Sequence, residues 1–275
     1  MGKKRKTSVC HREFGQHFMH NRRTIQEIIQ LADLSRKDHV VEIGAGTGAL
    51  TIPLAEKAGD VLTVEKDPLL AEKLSRKIQG QSNIRLIQTD FLQMNLPRKP
   101  FCVVANIPYS ITTPILHKLL DRPAMPLQRA VLVIEKGAAI RFTGTPIRDP
   151  RTLTWRMWFD IKRERTIPPD HFSPPPRVDS SILLIRKKKH PGIAPSHRTR
   201  FLALARTGLR HPHAPLSQAF TGVFTPPQIT RLSRNLGIDR DTPVQSLNER
   251  HWEFLFQTML HYVPPFRWPK KTNRS

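Results

Sequence analysis

The sequence is short of cysteine and of acidic residues, and it contains no long apolar run. Its two cysteines, Cys10 and Cys102, lie far apart and form no C-x-x-C pair, so neither a disulfide framework nor a zinc ribbon is expected. No stretch approaches the ~20 apolar residues that a membrane-spanning helix needs, and no apolar segment follows the basic run Lys3–Lys6. These absences predict a cytoplasmic protein that binds neither metal nor membrane.

The shortage of acidic residues leaves a large positive charge. The chain has 45 Lys plus Arg against 22 Asp plus Glu, a net charge of +23. Residues 1–23 hold 7 basic and 1 acidic side chains (+6), residues 186–275 hold 16 and 4 (+12), and the middle holds 22 and 17 (+5). Such a field attracts polyanions, and counterion release makes their binding salt-dependent. We therefore expect the two ends to form a nucleic-acid-binding surface; general solubility is the alternative.

The chain's 275 residues leave room for one α/β domain and a smaller second one. Apolar residues recur at helical spacing from Thr24 to Ala32 and predict an amphipathic helix. Short apolar runs then follow, most of them separated by helix-length segments, which predicts a Rossmann-like α/β fold with a mostly parallel sheet. These runs are Val40–Ile43, Val61–Val64, Ile84–Ile87, Phe101–Ala105 and Ala130–Ile134.

The pattern changes in the second half of the chain. Leu153–Ile161 and Ser180–Ile185 resemble antiparallel edge strands on either side of a proline-rich loop. After the basic run at residues 187–189, only helical patterns follow, which predicts a small all-helical C-terminal domain. The predicted helices are Arg198–Leu209, Pro226–Leu236 closed by Gly237, and a third that starts at Ser246, where Ser246 and Glu249 have capping-box spacing.

We divide the chain into four segments. Residues 1–23 form a basic arm, 24–188 the Rossmann-like domain, 189–263 the helical domain and 264–275 a basic tail.

A glycine-rich segment and two acids mark the ends of the first three predicted strands. Gly44, Gly46 and Gly48 follow the first strand and allow the backbone to turn sharply beside a ligand. Glu65 closes the second strand, where a carboxylate can accept hydrogen bonds from both ribose hydroxyls. Asp90 closes the third and can accept from an adenine amino group. Alone, the glycines also suit a dehydrogenase or a tight turn, and each acid also suits a solvated strand end; together they predict a site for an adenosine-bearing ligand.

The phenyl ring of Phe91, next to Asp90, could cover the adenine ring of that ligand. It is therefore included among the cofactor contacts.

The fourth strand ends in Asn106-Ile107-Pro108-Tyr109, which indicates the chemistry. The lone pair of an adenine amino nitrogen is delocalised into the ring, so this nitrogen is a poor nucleophile. The Asn106 oxygen and a neighbouring backbone carbonyl can accept from both N6 hydrogens and draw the nitrogen toward tetrahedral geometry. Pro108 stiffens the loop and Tyr109 offers a ring face for an extruded base. A turn with a buried tyrosine is the alternative.

A second aromatic residue stands in the proline-rich loop Pro169–Pro176. We predict that Phe172 covers the other face of the extruded adenine. A plain linker is the alternative interpretation of this segment.

In this order, the motifs resemble the rRNA adenine N6-dimethyltransferase family, and most closely its erythromycin-resistance (Erm) branch. The similarity spans residues 14–186, from the glutamine motif Gly15–Met19 to the segment Phe172–Ser180. The resemblance implies a class I methyltransferase fold in which the glycine loop and the two acids hold S-adenosylmethionine. It adds His17 and Met19 as cofactor contacts and places Asn106 between cofactor and target. The family usually has Asn where His17 stands, although an imidazole can still donate one hydrogen bond.

The resemblance also implies a substrate and an outcome. The target is an unpaired adenine near the peptidyl transferase centre of 23S rRNA, methylated before ribosome assembly is complete. The outcome is resistance to macrolides, lincosamides and streptogramin B. The enzyme is expected to act as a monomer with S-adenosylmethionine as its cofactor.

Three alternatives remain open. The housekeeping branch, which dimethylates adenines near the 3′ end of small-subunit rRNA, tends to have Leu in place of Ile107 and Asn in place of Ser173. DNA adenine methyltransferases usually carry a second proline in place of Ile107. A non-catalytic nucleic-acid-binding protein on the same fold is the alternative from another class.

Overall fold

The computed structural model describes residues 16–270 of the chain. Contacts divide it into two compact units. The first runs to residue 121 and includes 125–143 and 161–187, and the second comprises 122–124, 144–160 and the chain from 188. Cys10 and most of the predicted basic arm lie outside the described residues, as do the last five residues of the predicted tail.

Nine strands are present in the described part of the chain. They are β1 (Phe18–Met19), β2 (His39–Ile43), β3 (Asp60–Glu65), β4 (Ile84–Gln88), β5 (Phe101–Asn106), β6 (Leu127–Glu135), β7 (Phe159–Ile167), β8 (Phe172–Ser173) and β9 (Ser180–Lys187).

Seven of these strands form one sheet in the order β4-β3-β2-β5-β6-β9-β7. Strands β4, β3, β2, β5 and β6 are parallel, whereas β9 is antiparallel to β6. The central strands are buried on both faces, with Val103, Val104 and Ala105 wholly inaccessible, which is why their sequences are continuous apolar runs. The predicted α/β fold with a mostly parallel sheet is confirmed. The strand predicted at Ser180–Ile185 is antiparallel as expected, but it is not an edge strand, because it lies between β6 and β7.

From residue 16 onward, the first unit has five helices: α1 (Arg22–Ala32), α2 (Thr51–Ala55), α3 (Pro68–Lys77), α4 (Thr112–Leu120) and α5 (Lys136–Thr143). The cap of α1 is local, because the Asn21 side chain accepts from the Thr24 N–H. Its buried face includes Ile28, Ile29 and Ala32, which belong to the same hydrophobic cluster as residues of β2 and β5. The predicted amphipathic helix is confirmed.

Strands β1 and β8 join two distant segments. They are antiparallel, with Phe18 opposite Ser173 and Met19 opposite Phe172. The backbone N–H of His20 continues this pairing and donates to the His171 carbonyl at 3.1 Å. The glutamine motif and the proline-rich loop are therefore held side by side.

The second unit is helical, with α6 (Pro150–Trp158), α7 (Arg198–Gly208), α8 (Leu216–Ala219), α9 (Pro226–Leu236) and α10 (Glu249–Tyr262). Its core is aromatic: Phe201 packs edge-on against Trp158, Trp252 and Phe256. A Cβ at Gly208 would lie 2.6 Å from the rings of Phe220 and Trp252, so only glycine fits there. Helices α7 and α9 lie where the sequence predicts them.

The strand predicted at Leu153–Ile161 is wrong over most of its length. The Asp149 side chain accepts from the Thr152 N–H and Pro150 occupies the first turn, so these residues begin α6 instead. The apolar alternation misled the prediction because α6 is buried almost all round, with Thr152 and Thr154 enclosed as well. Strand β7 begins only at Phe159.

The start of the last helix also differs from the prediction. Helix α10 begins at Glu249 and is capped by Asn248, which forms a capping box with His251. Ser246 instead ends a short 3-10 turn.

The predicted limits of the Rossmann-like domain differ from the first compact unit at residues 122–124, 144–160 and 188. Residues 144–160, predicted within the Rossmann-like domain, group with the helical unit. The described part of the predicted tail packs on α10, since the Trp268 indole N–H lies 3.2 Å from the Met259 carbonyl and 2.8 Å from that of Val263. The guanidinium of Arg200 lies over the Trp268 ring, 4.2 Å from its centroid. In residues 16–270, no helix is long and apolar enough to cross a membrane.

Candidate active site

A cavity of about 530 Å³ opens beside the carboxyl ends of β2, β3 and β5. Because these strands are parallel, side chains that follow each of them meet at one edge of the sheet. Two of the predicted site residues, Gly48 and Phe172, do not line the cavity. Those that do are His17, Met19, Gly44, Gly46, Glu65, Asp90, Phe91, Asn106, Ile107, Pro108 and Tyr109.

The glycine loop turns in the left-handed region, as the sequence predicts. The φ angles of Gly44, Gly46 and Gly48 are 69°, 54° and 77°. A Cβ at Gly46 would lie 2.9 Å from the Phe18 ring, and one at Gly48 would lie 2.6 Å from Leu74 Cδ1. Gly46 therefore allows β1 to approach the loop, whereas Gly48 allows the turn to pack against α3.

Glu65 holds the glycine loop against the end of β3. Its Oε2 accepts from the Gly46 N–H at 2.8 Å, and its Oε1 accepts from the N–H groups of Lys66 and Asp67 at 2.8 and 2.9 Å. A carboxylate offers about four lone-pair sites, so a single site on Oε2 is left for a ligand. Glu65 therefore has a site for a ribose hydroxyl, and its contact with both hydroxyls stays a prediction.

Asp90 is an ionised acceptor at the end of the site that follows β4. The Leu92 N–H, 2.9 Å from Oδ1, and the Lys66 ammonium, 3.0 Å from Oδ2, hold the pKa of Asp90 below its usual range. The neighbouring Phe91 is 4% exposed and contributes its ring to the cavity wall. The Asp90 carboxylate can therefore accept a hydrogen bond from an amino group of a ligand, and Phe91 offers an apolar surface beside it.

Asn106 has a fixed orientation. Its Nδ2 donates to the His17 carbonyl oxygen at 2.8 Å. Because that oxygen can only accept, the NH₂ group must face it. The Oδ1 of Asn106, a residue of the cavity wall, is left as an acceptor.

The next residue of the cavity wall, Ile107, carries a second acceptor. The Pro108 carbonyl is occupied by the Ile111 N–H at 3.1 Å, while no donor among the described residues bonds to the Ile107 carbonyl. Ile107 itself is anchored, since its N–H donates to the Val133 carbonyl at 3.2 Å. The loop therefore offers two oxygen acceptors from consecutive residues.

Tyr109 contributes its ring to the cavity and is held at its far end. Its hydroxyl lies 2.6 Å from the Ser180 Oγ, and burial raises its pKa. The His17 ring packs beside it with 5.9 Å between the centroids and a tilt of 31°. The hydroxyl thus stays neutral, which suits a stacking surface.

Phe172 does not occupy the position that the sequence predicts. The side chain is 2% exposed and belongs to the hydrophobic cluster of the first unit, together with Met19 and Ile182. Pairing of β1 with β8 turns the ring into the core, so it presents no face to a ligand. Met19 is 3% exposed and reaches the cavity wall from the same core.

Glu42 is a cavity residue that the sequence analysis did not assign. It is 1% exposed, and its Oε2 accepts from the hydroxyls of Thr51 and Thr63 at 2.7 and 2.6 Å. Burial raises its pKa to about 7, although these two hydrogen bonds act in the opposite direction. A carboxylate within the otherwise apolar run of β2 was the signal that could have found it.

Gln16 is a second unassigned residue of the cavity. Its Oε1 is buried and has no hydrogen-bond partner among residues 16–270, so it is an acceptor available to a ligand. Within the same residues, no cluster of three or more His, Cys, Asp or Glu could hold a metal ion.

The arrangement of this site defines a class I methyltransferase. The sheet is mostly parallel, and a glycine turn follows β2. Acids stand at the ends of β3 and β4, and the Asn-Ile-Pro-Tyr loop begins at the end of β5. The family described as ribosomal RNA adenine dimethylase matches residues 7–259. The chain belongs to this family, and its activity is rRNA adenine N6-methylation.

Two relatives and two solved structures show the range of the similarity. An rRNA adenine N-6-methyltransferase of Bacillus licheniformis is 45% identical over 95% of this chain and 91% of its own length. Ribosomal RNA small subunit methyltransferase A of Dehalococcoides mccartyi is 32% identical over 90% and 88%. The crystal structure of the 23S rRNA methyltransferase ErmE has a TM-score of 0.79 at 26% identity, covering 89% of this chain and 100% of that one. A dimethyladenosine transferase from Plasmodium falciparum shares the fold, with a TM-score of 0.75 at 22% identity over 90% and 99%.

Proposed function

We propose that this chain uses S-adenosylmethionine to methylate N6 of an adenine in 23S rRNA and thereby confers resistance to macrolides, lincosamides and streptogramin B. The similarity to ErmE along the whole of that chain supports the choice of 23S rRNA. The product is mono- or dimethyladenine. We further propose that the enzyme is a cytoplasmic monomer that acts before ribosome assembly is complete.

The cavity fits S-adenosylmethionine. Asp90 and the Phe91 ring suit its adenine, the remaining lone-pair site of Glu65 suits one ribose hydroxyl, and the unpartnered Gln16 Oε1 suits the ammonium of its methionine part. When bound, the cofactor supplies an electrophilic methyl group on a sulfonium.

The observation that carries the proposal is the anchored amide of Asn106. With Nδ2 donating to the His17 carbonyl, the Asn106 Oδ1 accepts one N6 hydrogen and the Ile107 carbonyl accepts the other. When both N6 hydrogens are held by acceptors, the nitrogen moves toward tetrahedral geometry and its lone pair is localised on it. The amino nitrogen thereby becomes more nucleophilic. No general base is needed, because the methylated nitrogen is cationic and releases its proton to water.

The target base needs a surface once it leaves its stack. Tyr109 provides one ring face, and stacking on it offsets part of the unstacking cost of a few kcal/mol. Because the Phe172 ring is buried, it does not form the surface for the opposite face of the base.

Binding of RNA is assigned mainly to the basic C-terminal part of the chain. Residues 186–275 hold 16 basic and 4 acidic side chains, a net charge of +12. Such a surface neutralises phosphates without reading sequence, so it supplies affinity, while the cavity selects the adenine.

Small-subunit rRNA is the second candidate substrate, favoured by the 32% identity to the Dehalococcoides mccartyi enzyme. The test is transfer of tritium from labelled S-adenosylmethionine to 23S and 16S transcripts in separate reactions. Label in 23S rRNA alone is expected, with methylated nucleosides identified by mass spectrometry. Label in 16S rRNA alone would establish the second candidate, and label in neither would favour a non-catalytic RNA-binding protein.

A further inference from the structure

His17 takes part in two hydrogen bonds, one through its side chain and one through its backbone carbonyl. Its Nδ1 lies 2.7 Å from the Pro174 carbonyl oxygen, and its own carbonyl oxygen accepts from the Asn106 Nδ2 at 2.8 Å. Pro174 follows β8, whose partner β1 begins directly after His17. One residue thus connects the proline-rich loop to the amide of the catalytic loop.

The first of these bonds fixes the imidazole. A carbonyl oxygen can only accept, so the His17 Nδ1 carries the hydrogen, in the neutral as well as in the cationic ring. The ring also packs beside Tyr109, with centroids 5.9 Å apart. The imidazole therefore has two neighbours within the protein that hold it in place.

We propose that His17 is a positioning residue whose side chain holds its own backbone carbonyl in place for Asn106. Strand β1 has only two residues, so the bond to Pro174 secures the end of a short segment. If the His17 carbonyl moves, the Asn106 amide loses its anchor and can turn its NH₂ group toward the target. Two donors would then face each other, and the adenine amino group would not be held for transfer. This inference rests on the proposed role of Asn106.

Bond counting gives a matched set of variants. From Cα, the donor Nδ1 of histidine is the third atom along the side chain, and so is the Nδ2 of asparagine. His17→Asn therefore keeps a hydrogen-bond donor at the same number of bonds from Cα. His17→Gln moves the donor one bond further, and His17→Leu removes it while keeping a side chain of similar reach.

The experiment measures kcat and KM for RNA methylation, cofactor affinity by calorimetry and the melting temperature of each variant. His17→Leu and His17→Gln are expected to lower kcat roughly tenfold, because the hydrogen bond to the Pro174 carbonyl is lost in the first variant and displaced in the second. A tenfold effect corresponds to the usual contribution of one hydrogen bond. Cofactor affinity is expected to change little. His17→Asn is expected to recover most of kcat but to stay a few-fold below wild type, because it lacks the ring that packs on Tyr109.

A purely structural role predicts a different pattern, in which kcat falls in step with the melting temperature and cofactor affinity falls as well. The same loss in His17→Asn as in His17→Leu would overturn the inference, since the donor would then be irrelevant. So would a wild-type kcat in His17→Leu.

A second background separates this inference from the proposed function. In Asn106→Ser the side chain has no NH₂ group to meet the His17 carbonyl, so adding His17→Leu should cost no further activity. An equal extra loss in that background would show that His17 acts by another route. Wild-type turnover in Asn106→Ser itself would instead contradict the role assigned to Asn106.

Discussion

Glu65 accepts a hydrogen bond of 2.8 Å from the backbone N–H of Gly46, although 19 residues separate the two along the chain. This contact fixes the glycine loop over the end of β3, and it depends on a carboxylate, because three N–H groups converge on the side chain. The acid therefore shapes the loop in addition to any bond it makes to a ribose.

Glu65→Gln is expected to weaken cofactor binding. An amide presents an NH₂ group to at least one of the converging N–H donors, and charge-assisted hydrogen bonds contribute about 1.5–3 kcal/mol each. A rise in the dissociation constant of roughly 10- to 100-fold is therefore expected by calorimetry. The matched control is Glu72→Gln on α3, whose partner is the exposed Arg76 and whose loss should leave affinity unchanged. Equal affinity of Glu65→Gln and wild type would contradict the role of Glu65.

Asn106→Ala tests the acceptor pair. Removal of one of two preorganised acceptors is expected to lower kcat by about 10²–10³-fold, whereas cofactor affinity should fall by less than tenfold. Single-turnover tritium transfer and calorimetry measure the two effects. Unchanged turnover would mean that Asn106 does not orient the adenine amino group.

Parallel strands explain why much of this site is predictable from sequence. Gly46, Glu65, Asp90 and Asn106 each lie at or shortly after the carboxyl end of one of the parallel strands, and these ends meet at one edge of the sheet. The order of the motifs along the chain therefore fixes their proximity without knowledge of side-chain packing.

The remaining features depend on tertiary pairing, which leaves no local signal. The register of β1 on β8 places Met19 opposite Phe172, and this pairing turns the phenyl ring inward. The bond from His17 to Pro174 likewise joins residues 157 positions apart. Apolar alternation at Leu153 was equally ambiguous, because a helix buried all round lacks a polar face.

The burial of Phe172 leads to a different expectation from a stacking role. Phe172→Ala should destabilise the protein by about 3–5 kcal/mol, as for other phenylalanines removed from a core. Phe172→Leu should cost about 1–2 kcal/mol and retain near-wild-type kcat below its melting temperature. Urea denaturation and methyl transfer measure the two quantities. A loss of kcat in a stable Phe172→Leu enzyme would show that the ring reaches the target base.

The buried carboxyl of Glu42 makes stability depend on pH. Its pKa is about 7 in the folded protein and lies near 4.5 in the unfolded chain, so the folded state binds more protons between these values. Stability from this group is therefore full at low pH and is lost as pH rises from about 4.5 to 7.

Glu42→Gln removes this dependence, since an amide does not titrate and its oxygen can still accept from Thr51 and Thr63. Between pH 5 and pH 8, the unfolding free energy of the variant should rise relative to wild type by about 3 kcal/mol. Denaturant titrations at both pH values provide the measurement. A constant difference between the two proteins would show that Glu42 does not titrate in this range.

The basic surface of the helical unit is best tested by charge reversal. A deletion from residue 190 would remove Phe201, which packs on Trp158 of α6, and so would expose an aromatic core. Arg231 and Arg234 lie exposed on α9, and reversing both lowers the net charge without touching buried residues. The double variant Arg231→Glu and Arg234→Glu therefore isolates the electrostatic contribution.

RNA affinity of this double variant should fall, and the slope of log affinity against log salt should flatten by about 0.7–0.9 for each phosphate that the protein no longer neutralises. Filter binding from low to moderate salt measures the slope. The control reverses two exposed lysines of the first unit, Lys57 and Lys73, for the same change in net charge. If both pairs flatten the slope equally, the chain attracts RNA through its overall charge; if only the arginine pair does, α9 binds the phosphates directly.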